Sequence, residues 1–181
     1  MARVPYLARE DLAESDRAAF DRIEKSRGQV GNIWRAMLNA PNVCDRMLAL
    51  ADELRHGVGI DKNYRELAVL VVGKATNCDY EFDHHWNAAL KAGVPREKLE
   101  AIESFAFETS PLFTDAERAV MRFAKEATEV GAVKDMTWNA LKRHFDTRAA
   151  MEILYTVAWY NTVVRILLPL DIRNEPDFKR L

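Results

Sequence analysis

A chain of 181 residues, 49% hydrophobic, is long enough for one domain with a sizeable core, and one domain over residues 1–181 is expected. The formal net charge of −2, with acids and bases mixed along the chain, argues against nucleic acid or an anionic membrane as partner. No apolar run approaches the roughly 20 residues of a membrane span, and the start MARVPYLARED lacks the apolar core of a signal peptide, so a cytoplasmic protein is expected.

In chain order, residues 15–27 carry Ala18, Ala19, Phe20 and Ile23 as a modest amphipathic helix closed by Gly28. A short helix is expected over 33–39, and Pro41 suits the first turn of the next one, where its missing N–H costs nothing. In that helix Val43, Met47, Leu48, Leu50, Ala51 and Leu54 read as one core-facing stripe that stops near Gly57. Asp61 is placed to cap a further helix whose residues Leu67 to Val72 are apolar without a break, the pattern of a buried helix. Glu66, near its start, is therefore expected to be partly buried and to need a partner or an upward-shifted pKa.

The stretch from Asn63 to Gly93 then places Cys78, Glu81 and His85 at i, i+3 and i+7 of a second helix. Residues three and four apart share a helix face, so the three form one polar row. Thr76 and Asn77 are good N-cap residues, which predicts a helix start near Cys78. A thiol at such a start faces unpaired N–H groups that favour the thiolate, although a lone cysteine is more often a buried, inert thiol. Tyr80 is expected to point away from the row, and Tyr80 and Trp86 are candidates to wall an apolar substrate pocket.

Beyond Gly93, Pro95 opens a short helix through Leu99, Ile102 and Phe105. Thr114 and Glu117 fit a capping box for a helix ending at Gly131, and 137–145 reads as another short helix. Asp146 caps the last long helix, apolar on most sides up to Pro169 and interrupted by Asn161 and Arg165. An arginine in such a run needs a partner, either an ion pair with Glu66 or across a subunit boundary, or a substrate carboxylate. No segment alternates with period two, so the expected architecture is all-α, a bundle of about eight helices. Two helices apolar on nearly all sides in so small a domain imply burial against another copy of the chain.

The segment resembles the signature of the carboxymuconolactone decarboxylase and alkylhydroperoxidase D superfamily, whose peroxidase branch has a glutamate and, further on, C-x-x-C-x-x-x-H-x-x-x-A. Glu66, Cys78, His85 and Ala89 fill that pattern, and Glu81 stands where the second cysteine would be. The resemblance is specific over positions 60–95 and extends weakly to Gly31-Asn32-Ile33, Pro41, Tyr160-Asn161 and Arg165. It implies an all-α homo-oligomer, a trimer or hexamer, acting on a small molecule without a cofactor.

Three readings of function stand side by side. In the first, His85, oriented by Glu81, does acid–base chemistry on a small carbon acid, with Glu66 or Cys78 as second proton carrier and Arg165 holding a substrate carboxylate. Decarboxylation, lactone opening or double-bond isomerisation would suit those groups. In the second, Cys78 is a peroxidatic thiol in a peroxiredoxin-type hydroperoxide reductase; Glu81 cannot resolve a sulfenic acid, so Cys44 or an external thiol would have to. The third is a non-catalytic ligand-binding protein on the same fold. Glu81-Phe82-Asp83-His84 and Glu53-Leu54-Arg55-His56 match the Glu-x-x-His of di-iron bundles, but adjacent His84 and His85 point about 100° apart, and no metal site is expected.

Overall fold

Local chemistry sets most of the helix boundaries. The computed structural model describes residues 2–181, and among these residues the regular structure is helical, with no strand. None of the helices is long and apolar enough to cross a membrane. The described chain divides into two units, the first holding residues up to Val58 and Ile166–Phe178, the second Gly59–Arg165 and Lys179–Leu181.

In the first unit, α1 (Arg17–Arg27) stops at Gly28, whose φ of 78° is the left-handed cap that glycine adopts without penalty. Then come α2 (Asn32–Met37) and α3 (Pro41–Asp52), with proline in the first turn of α3 and a π-helical turn, Glu53–Gly57, after it. Leu12, Ala19, Ile23, Leu38, Cys44 and Leu48 make the core of this unit. The stripe expected on α3 is narrower than its apolar residues suggest. Cys44, Leu48 and Ala51 face inward, whereas Val43 and Leu50 are exposed (58% and 49%). An apolar residue one position off a stripe sits about 100° round the helix, outside the packed face.

The second unit is built round α4 (Lys62–Ala75), which Asp61 caps by accepting the N–H of Asn63 at 2.7 Å. From Glu66 to Gly73 every residue of α4 is buried, because α5 (Asp79–Ala92), α6 (Arg96–Glu103) and α7 (Asp115–Val130) all pack on it. The capping box at α7 is present: Thr114 Oγ1 accepts the N–H of Glu117, and Glu117 Oε2 accepts that of Thr114 at 2.8 Å. After α8 (Asp135–Lys142), Asp146 accepts the N–H of Ala149 at 2.8 Å and opens α9 (Thr147–Leu167).

The α4–α5 junction positions everything that follows. Thr76 does not cap α5; its hydroxyl donates to Val72 O at 2.8 Å and closes α4. Asn77 turns the chain with φ 52°, and Cys78 itself is the N-cap residue of α5, its N–H bonded to Gly73 O at 2.9 Å. The start predicted near Cys78 is thus right to one residue, but the turn is made by αL backbone rather than by a Thr or Asn side-chain cap. Gly73 lies two turns along α4 from Glu66, on the same face, and a Cβ there would stand 3.0 Å from Phe82 N and 3.2 Å from Phe82 Cα. The two backbones therefore meet as closely as a glycine permits. Gly73→Ala should lower stability by about 1–3 kcal/mol through overpacking, read as a lower urea midpoint with an unchanged m-value; an unchanged midpoint would mean the hairpin has slack.

Candidate active site

Glu66, in the second turn of α4, is buried to 3% exposure beneath α5. Its Oε1 is held by Arg65, whose Nε and Nη2 both lie 3.0 Å away. Its Oε2 lies 2.6 Å from His85 Nδ1. On the other side of the ring, His85 Nε2 lies 3.0 Å from Glu81 Oε1, one turn back on α5. That contact is close enough for charge attraction, although Glu81 Oε1 is buried without a well-directed hydrogen bond. Tyr160 of α9 closes the set, its ring edge-on to the imidazole at 4.8 Å between centroids. The His85 side chain keeps 13% of its surface exposed.

Charges decide the protonation states here. Burial works against a charge on His85, but the carboxylates of Glu66 and Glu81 outweigh it and raise the imidazole pKa from 6.5 to about 9. At neutral pH the ring is an imidazolium, with N–H donors toward both acids. Burial likewise works against a charge on Glu66, and His85 with Arg65 outweighs it, holding the carboxyl below its ordinary range. Glu66 thus meets the requirement of a buried carboxylate by pairing, not by an upward shift.

Cys78 behaves differently from the expectation for a helix start. Its thiol is 2% exposed, and burial pushes its pKa up to about 12. The backbone N–H of Glu81 bonds the sulfur and works the other way, but the negative charges of Glu81 and Asp79 add to the rise. The resting group is a protonated thiol, first because it is buried and then because two acids in the first turn of α5 counter the dipole that would favour a thiolate. Cys44 is also buried, with its thiol pushed up to about 12.

Three other residues proposed from sequence have separate engagements. Tyr80 is buried and stacks on His84 at 4.3 Å. Trp86 is buried, and its Nε1 donates to Leu181 O at 2.9 Å. Arg165 is exposed, with Nη1 donating to Asn161 O at 2.8 Å and Asn161 Oδ1 at 2.7 Å. The cation on Glu66 is instead Arg65, which spacing did not suggest because neighbours in a helix point about 100° apart. Among the described residues, no group of three or more His, Cys, Asp or Glu side chains is arranged to hold a metal ion.

Residues 41–126, which include Glu66, Cys78, Glu81 and His85, match the carboxymuconolactone decarboxylase family. None of the curated proteins matches the chain in sequence. Among solved structures, the chain is similar to the debrominase Bmp8. A cysteine-to-alanine variant of that protein, in complex with 2,3,4-tribromopyrrole, is 22% identical, with 97% of this chain and 93% of that one covered at a TM-score of 0.82. The apo form is 24% identical, with coverage of 96% and 92% and the same TM-score of 0.82. An alkylhydroperoxidase AhpD core, a peroxidase-related protein from Ralstonia eutropha JMP134, is 19% identical over 97% of this chain and 93% of that chain, at a TM-score of 0.82. At these identities the likeness is one of fold.

The paired charges make stability depend on pH in a defined direction. His85 has a raised pKa, so its contribution is complete below about 6.5 and is lost as pH rises through about 9. Glu66 has a lowered pKa, so its contribution is present above its ordinary value of 4.5 and is lost as pH falls below that. Urea midpoints between pH 6 and 10 should therefore decline on the alkaline side. Glu66→Gln should flatten that decline and cost about 3 kcal/mol at neutral pH by leaving the buried imidazolium short of a partner.

Proposed function

We propose that this chain, whose residues 41–126 match the carboxymuconolactone decarboxylase family and whose fold is like that of an alkylhydroperoxidase AhpD core, is a small-molecule enzyme whose chemistry is proton transfer at His85. The observation that carries this reading is the imidazole held between Glu66 at 2.6 Å and Glu81 at 3.0 Å. Such a ring enters turnover protonated and works first as a general acid. On a small carboxylated substrate, loss of carbon dioxide leaves the electron pair of the broken carbon–carbon bond on carbon, as an enolate. His85 gives that carbon its proton, and the ring regains one from solvent. Glu66, braced by Arg65, holds the ring in register, and Glu81 stabilises the charge it carries between cycles. The substrate class is a small carboxylated lactone, keto acid or ring-derived acid. The protein works without a cofactor, as a cytoplasmic homo-oligomer.

A second reading rests on Cys78, whose sulfur receives the N–H of Glu81 at the start of α5. Thiol attack on a hydroperoxide or an activated ring would need Glu81 to accept the thiol proton first, since burial keeps the sulfur protonated at rest. The bromopyrrole bound by the structurally similar debrominase gives that reading a ring-type substrate to try.

One pair of variants separates the two. With carboxylated lactones and keto acids, His85→Asn should lose at least about 100-fold in turnover, as removal of a general acid does, while Cys78→Ser stays within about tenfold. Turnover of hydroperoxide or bromopyrrole with a thiol donor that disappears in Cys78→Ser would establish the second reading and overturn the first.

A further inference from the structure

Helix α5 carries two different sets of contacts on opposite faces. Glu81 and His85 lie along one, and Phe82, Asp83, Trp86 and Asn87 lie along the other, as 3.6 residues per turn requires. Against the second face lies the segment Lys179–Leu181. Asn87 Oδ1 accepts the N–H of Leu181 at 2.8 Å, and Asn87 Nδ2 donates to Lys179 O at 2.8 Å. Leu181 O receives two donors, Trp86 Nε1 at 2.9 Å and Arg96 Nη1 at 3.2 Å.

The middle residue is held most closely. The Arg180 guanidinium lies 3.7 Å from the centroid of the Trp86 ring and 5.2 Å from that of Phe82. Its Nη2 meets Glu103 Oε1 at 2.9 Å, and its Nη1 meets Asp83 Oδ1 at 3.4 Å. A guanidinium placed over aromatic faces and flanked by two carboxylates uses the planar, delocalised charge that distinguishes arginine from lysine. Trp86 and Phe82 are buried, at 3% and 6% exposure. Cation–π attraction gains strength where the ring is shielded from water.

We propose that Phe82, Asp83, Trp86, Asn87, Arg96 and Glu103 form a recognition site for a basic tripeptide, that the chain's own Lys179–Leu181 fills it, and that the filled site braces α5 so that His85 meets Glu66. Asp83, Trp86 and Asn87 are all within one turn of His85, so the tripeptide is anchored to the part of α5 that carries the imidazole. One turn before His85, α5 is also seated on α4 by the close approach of Gly73 to the Phe82 backbone. Lys179–Leu181 are thus positioning residues. The recognition site stands apart from the chemistry proposed for His85, since occupancy is read without any substrate.

The test uses two variants, the chain lacking Lys179–Leu181 and the full chain with Arg180→Ala, followed by nitrogen-15 NMR of the Trp86 indole and the His85 ring. In both, the indole N–H should move toward its solvent-exposed position and the His85 titration midpoint should fall by about one unit, as a weakened charge partner implies. An N-acetylated Lys-Arg-Leu peptide, added up to the millimolar range, should reverse both changes in the shortened chain, and Lys-Ala-Leu should not. Arg180→Lys should keep part of the effect. An unchanged His85 titration in either variant overturns the proposal, as does failure of Lys-Arg-Leu to reverse the changes in a shortened chain whose circular dichroism is native. If the shortened chain does not fold, Arg180→Ala in the full chain decides by the same criterion.

Discussion

A positively charged imidazole with only 13% of its surface in contact with water cannot remain charged unless the protein supplies negative partners at hydrogen-bond range. Here they come from two helices. Glu66 reaches His85 from α4, and Glu81 reaches it along α5. Because the acid on α4 carries a charge of its own in an almost waterless setting, it draws in Arg65 as well. The result is an alternating series of cation, anion, cation and anion whose members each depend on the next. The geometry of the hairpin is what keeps them in reach: a glycine at the crossing, a left-handed residue at Asn77 and a backbone bond from Cys78 to Gly73.

The same acids add to the burial that keeps the Cys78 thiol neutral. Adding carboxylates near an imidazole stabilises its proton, and adding them near a sulfur stabilises that proton too. Glu81 and Asp79 therefore favour the neutral form of Cys78 for the same electrostatic reason that Glu66 and Glu81 favour the charged form of His85. Burial works in the same direction at the sulfur and leaves the thiol neutral, whereas at the imidazole the acids outweigh it and leave the ring charged. That difference is the physical basis for ranking proton transfer ahead of thiol chemistry.

Spacing alone made the pairing of Glu81 with His85 legible, because i and i+4 share a face whatever surrounds the helix, whereas Cys78 stands just before α5 in extended backbone. The burial of Glu66 was legible too, from the unbroken apolar run that follows it. Other features were hidden for identifiable reasons. Arg65 is adjacent to Glu66 in sequence, and adjacency in a helix argues against contact; only the flexible length of arginine brings the guanidinium round. The cap at α5 looked like the work of Thr76 or Asn77 from residue preference, whereas Thr76 finishes the helix before it. On α3, composition gave an apolar stripe but not its centre, and Val43 and Leu50 lie outside it. The engagement of Lys179–Leu181 with α5 leaves no periodic trace in three consecutive residues and is visible only in three dimensions.

The most direct measurement is the titration of His85 in the intact chain, followed through its ring nitrogens by NMR. Both nitrogens are expected to stay protonated through neutral pH, with the ring losing its proton near 9. A midpoint near the ordinary imidazole value of about 6.5, with Nδ1 unprotonated at neutral pH, would contradict it.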